Sequence, residues 1–102
     1  MTAYKKALSM IDSEQMIAIQ GDTMAPTFTA GDVAIVNHAD TQLRDGVFQV
    51  EHEGVTMIKR LSVCRGNVTL SNDNQHYPAE EVHFSMVTIK GKVTKAFNMK
   101  RL

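Results

Sequence analysis

The sequence predicts a mainly β single domain, a compact pseudo-barrel of short antiparallel strands with a short helix in front. Three observations carry that expectation. Short apolar runs recur along the chain. Turn residues, mostly Gly beside Asp, Asn or Glu, separate them every ten residues or so, as in barrels and sandwiches. Helical spacing of apolar residues occurs only at the N-terminus. The chain has 102 residues, so residues 1–102 fit one domain able to bury a core without staples.

The elements follow in order. In "TAYKKALSMID", Tyr4, Ala7, Leu8 and Ile11 fall on one helical face, with Lys5, Lys6 and Ser9 off it. Asp12 and Ser13 end that helix. "QMIAIQ" (15–20) and "DVAIVN" (32–37) are strand-like. "VFQVEHEG" alternates Val47, Gln49 and Glu51 against Phe48, Val50 and His52. "GVTMIKRLSV" and "NVTLS" come next, and "VHFSMVTIKGKVTKAF" reads as one long run. Glu53-Gly54, with almost no spacer on either side, predicts a tight hairpin, and Arg65-Gly66-Asn67 another. Gly91 inside the last run signals a bulge or a close backbone approach. The long final segment is expected to form an exposed edge that invites a second copy.

Composition narrows the function. Eleven basic and eleven acidic residues cancel, which argues against a nucleic-acid binder. The basic pairs Lys5-Lys6 and Lys100-Arg101 read as solvated ends. Zero net charge does little to hold copies apart, so self-association is permitted. Cys64 is the sole cysteine and cannot form an intrachain disulfide; it reads as a small apolar residue near a strand end. The chain shows neither a membrane-length apolar run nor a signal-peptide pattern, so a cytoplasmic location is expected. His38, His52, His76 and His83 are scattered and read as surface or turn residues. No metal and no cofactor is expected from their spacing, and no phosphate loop is present. Met16, Met57 and Met86 read as core fillers of strand runs.

Two residues stand out. Thr23 lies in "GDTMAP", where Gly21 suits a positive φ, Asp22 or Thr23 can bond a backbone N–H just ahead, and Pro26 suits the start of a helical turn. Lys59 follows Val55 and Met57 by twos and precedes Leu61, so it shares an apolar face; the other face holds Thr56, Ile58 and Arg60. A lysine there either snorkels to the rim or, if buried, loses charge and gains basicity toward a hydroxyl. Spacing alone does not bring Thr23 and Lys59 together.

The motifs "GDTMAPTF", "AGDVAIV", "DGVFQVEHEGVTMIKRL", "VTLSNDNQHYP" and "VTIKGKV" run in this order along nearly the whole chain. In that order they resemble the C-terminal domain of LexA and phage repressors. The resemblance implies a LexA-like β domain that dimerises or associates further, and a serine-lysine dyad that cleaves the linker to a DNA-binding domain. Residue by residue, Thr23 falls on the nucleophilic serine, Lys59 on the general-base lysine and Met24 on the methionine after the nucleophile, with Gly21, Asp22 and Pro26 as the supporting turn. The implied partners are a second copy and a RecA-like co-protease or an antirepressor; DNA is contacted only through a separate N-terminal domain, and no membrane is involved.

The chain departs from the pattern in three ways. Threonine replaces serine at position 23, and its extra methyl restricts χ1 in a tight turn. Cleavage is therefore expected to be weak or absent. No Ala-Gly or Cys-Gly pair precedes Gly21; Ala30-Gly31 lies after it. No helix-turn-helix is present, which fits an excised regulatory domain or a short stand-alone relative. The expected role is the dimerisation and regulatory domain of such a repressor. The alternatives are an active self-cleaving dyad peptidase, and a relative of the short mutagenesis-linked proteins that cleave themselves and bind a polymerase.

Overall fold

The computed structural model describes residues 13–98. The helix expected over 2–12 lies outside them. Seven strands form one antiparallel sheet: β1 (Glu14–Ala18), β2 (Asp32–Asn37), β3 (Gly46–His52), β4 (Val55–Cys64), β5 (Asn67–Ser71), β6 (Glu80–His83) and β7 (Val87–Asn98). Their order across the sheet is β1-β2-β7-β3-β4-β5-β6. The mainly β expectation holds.

Both hairpins form where the turn residues put them. Glu53 and Gly54 take φ of 52° and 78° between His52 and its partner Val55. Arg65 and Gly66 take 49° and 81° between Cys64 and Asn67. Two successive left-handed residues match the right-handed twist of the flanking strands.

Successive side chains on a strand point to opposite faces, and each face carries an apolar cluster. Val47 packs with Met24, Phe28, Ala34, Val36 and Val93 on one. Phe48 and Val50 pack with Leu61, Val68 and Leu70 on the other. His52 continues the second parity and is only 5% exposed, which corrects its reading as a surface or turn histidine. Met57 packs against the second cluster, but Met16 and Met86 are exposed and do not fill the core.

The last apolar run is not one strand. A single 3-10 turn at Phe84–Met86 divides it, with the His83 ring nitrogen accepting from the Ser85 N–H. The reason is non-local. β6 pairs with β5 at one edge, whereas β7 lies between β2 and β3. One extended segment cannot occupy both places. β7 pairs with β3 over Val87–Lys92 and with β2 over Lys92–Asn98, so among the described residues only Lys92 has strand partners on both sides and Val93–Asn98 keep the open edge that the sequence predicts.

Gly91 has the close approach its position suggests. A Cβ there would lie 2.7 Å from Val36 Cγ1 and 2.8 Å from the Asn37 carbonyl oxygen. The register with β3 slips beside it, passing from Gln49–Gly91 to Val50–Ile89 and leaving Lys90 as the extra residue of a bulge. Gly91→Ala is expected to cost about 1–3 kcal/mol by forcing β2 away from β7. Urea unfolding should show it as a lower midpoint at unchanged slope. No helix among the described residues is long and apolar enough to cross a membrane.

Candidate active site

The segment between β1 and β2 is a chain of turns anchored from within. Gly21 takes a φ of 77°. The Asp22 carbonyl accepts the Ala25 N–H at 3.1 Å, and the Met24 carbonyl accepts the Phe28 N–H at 3.0 Å. Met24 and Phe28 insert into the first cluster and fix the turn on the sheet. Pro26 sits inside it, after a cis Ala25–Pro26 peptide.

The capping expected of Asp22 or Thr23 is replaced by a different arrangement. The Asp22 carboxylate accepts the Tyr77 hydroxyl at 2.6 Å. Among the described residues the Thr23 hydroxyl has no hydrogen-bond partner. The turn is held from outside by the loop between β5 and β6. The Asn74 N–H donates to the Thr23 carbonyl at 3.0 Å, and the Asn74 side-chain amide donates to the Asp22 carbonyl at 2.9 Å. Asp73 accepts from Thr27 Oγ1 and takes Arg60 through two bonds of 2.7 and 2.9 Å. The paired geometry suits a guanidinium and a carboxylate.

Lys59 is placed by β4. It lies opposite Phe48 and shares its face with Met57 and Leu61 of the second cluster. The side chain is half-buried, and that burial lowers its pKa below the ordinary lysine value, with the Glu80 carboxylate opposing the shift. The ammonium donates to Asn72 Oδ1 at 2.5 Å. Asn72 is oriented in turn by donating to the Pro78 carbonyl at 3.3 Å.

Thr23 and Lys59 line the same cleft, of about 320 Å³. Ile17, Ile19, Met24 and Ile58 supply much of its apolar wall, and Gln49 a polar group. The cleft brings together two residues separated by 36 positions of chain. In this state the Lys59 amine is engaged with Asn72. Transfer of a proton from the hydroxyl would require the amine to be neutral and turned toward Thr23.

Sequence reasoning does not assign roles to Asn72, Asp73, Asn74 and Tyr77, although they lie within the motif "VTLSNDNQHYP". The available signal was its density of short amide and acid side chains, which bind neighbouring backbone.

The mainly β domain thus places a hydroxyl residue and a half-buried lysine on one cleft. The family model described as Peptidase S24-like matches residues 4–94, and the chain belongs to that family, which comprises the C-terminal domains of LexA and phage repressors. A search of the curated proteins finds no significant match.

Proposed function

We propose that this chain is the dimerisation and regulatory domain of a phage-type or LexA-like transcriptional repressor, with a peptidase-like site that cleaves weakly or not at all. The carrying observation is the threonine at position 23, on a cleft it shares with Lys59, the residue that the resemblance puts at the general-base position. A site whose support is kept while its nucleophile carries extra bulk favours the association role over the chemical one. Zero net charge permits association, and Phe97, 42% exposed, lies on the one-sided stretch of β7. Met16 is exposed on edge strand β1. In this reading DNA is reached through a separate N-terminal domain, and the inducing partner is a RecA-like co-protease or an antirepressor. Sedimentation velocity is expected to give a dimer at micromolar concentration. A strict monomer well above that range would sink the association role.

A second reading, an active self-cleaving dyad of Thr23 and Lys59, is favoured by one observation. Burial lowers the Lys59 pKa and enlarges its neutral fraction near neutral pH.

A further inference from the structure

Among the described residues His52 is the buried polar side chain of the core, and its ring is half satisfied. Nδ1 donates to the Met86 carbonyl at 2.9 Å, so Nε2 is the nitrogen open to a ligand, with a lone pair whenever the ring is neutral. Nε2 is buried, and among the described residues no hydrogen-bond partner reaches it. It faces Glu53 Oε1 at 3.8 Å and Glu80 Oε1 at 3.6 Å. An imidazole oriented by a backbone carbonyl, with its free nitrogen turned to carboxylates, is the arrangement metal-bound histidines use.

We propose that His52, Glu53 and Glu80 form a binding site for a divalent transition-metal cation, zinc in the first place. The three donor atoms lie within 4.8 Å of one another. A tetrahedral zinc with ligands at about 2.0–2.2 Å holds its donor atoms about 3.3–3.6 Å apart, so small shifts close the set. Those shifts are available, because both glutamate side chains are largely exposed while the histidine is fixed. One imidazole and two carboxylates suit zinc better than calcium, which takes oxygen ligands. A fourth position remains for water. The ligands come from the end of β3, the turn after it and the start of β6, so the ion would fasten the edge strand to the sheet centre.

The test is calorimetric titration of the 102-residue chain with zinc chloride, using Cys64→Ser as the parent to remove the exposed thiol. The expected result is one zinc per chain, with affinity at least tenfold weaker in both Glu53→Gln and Glu80→Gln. These exposed positions keep the test decisive even where His52→Gln fails to fold. Absence of saturable one-to-one binding up to millimolar zinc overturns the site. So does parent-like affinity in either glutamine variant, which would assign the heat to other histidines.

Discussion

Joined to a linker carrying an Ala-Gly bond, the Thr23→Ser chain should cleave itself about two- to tenfold faster than the Thr23 chain, and Lys59→Ala should then remove at least a hundredfold of that rate. The first figure follows from rotamer restriction. A threonine forced about 30° off its preferred χ1 to aim its hydroxyl loses roughly 0.5–1.5 kcal/mol, and 1.36 kcal/mol is tenfold in rate. The second is the low end of about 10²–10⁴ for a positioned general base. The pH dependence has a definite sign. Lys59 must be neutral to accept a proton, so the rate rises with pH to a plateau, with a midpoint below the ordinary lysine range because burial lowers the Lys59 pKa. Asn72→Ala should move the midpoint lower still, since its oxygen accepts from the charged ammonium and favours it. Gel densitometry of cleavage from about pH 7 to about pH 11, which brackets the lysine range, reads all four chains. No cleavage with serine at 23 rules out a competent dyad. A rate that survives Lys59→Ala removes lysine from the general-base role.

Phe48→Ala should cost about 3–5 kcal/mol of stability, a large part of the 5–15 kcal/mol typical of a domain. Phe48 is fully buried on interior strand β3, at the heart of the second cluster. Its register partners are Lys59 on β4 and Lys92 on β7, so a half-buried lysine lies on each side of the ring. The Lys92 ammonium and the Arg44 guanidinium each stand 5.3 Å from the ring centroid. Burial lowers the pKa of both lysines, with Arg44 adding repulsion at Lys92. Removing the ring admits water to both, so the cleavage midpoint in the serine background should rise toward the ordinary lysine value. Phe48→Leu keeps most of the volume and should retain most of the stability. Chemical denaturation of both variants tests the first claim, and the pH profile tests the second.

What was legible in the sequence was local. The hairpins at Glu53-Gly54 and Arg65-Gly66 were readable because two residues fix the turn and the register follows. Gly91 was readable because a glycine amid β-branched residues needs a reason, and Val36 with Asn37 supplies it. The division of the last run was not readable: "VHFSMV" fits a strand by pattern, and only the choice of neighbours, β5 for one half and β2 with β3 for the other, breaks it. The burial of His52 was not readable, because its parity on β3 groups it with Phe48 and Val50 but does not say what covers that end of the face. For the site, the resemblance pointed to Thr23 and Lys59, and alternation marked Lys59 as unusual. The partners from Asn72 to Tyr77 could not be found by pattern. Their bonds to the turn and to β4 run to residues 13 to 55 positions away, where composition carries no address.

The loop that carries Asn72 and Asn74 works as a jig. It grips the backbone of Asp22 and Thr23 and the tip of Lys59, and leaves the residue-23 side chain untouched. Position 23 is therefore a socket. Serine, threonine or cysteine can be exchanged there without retooling the frame, so a lineage could silence the chemistry, or recover it, by changing a single codon.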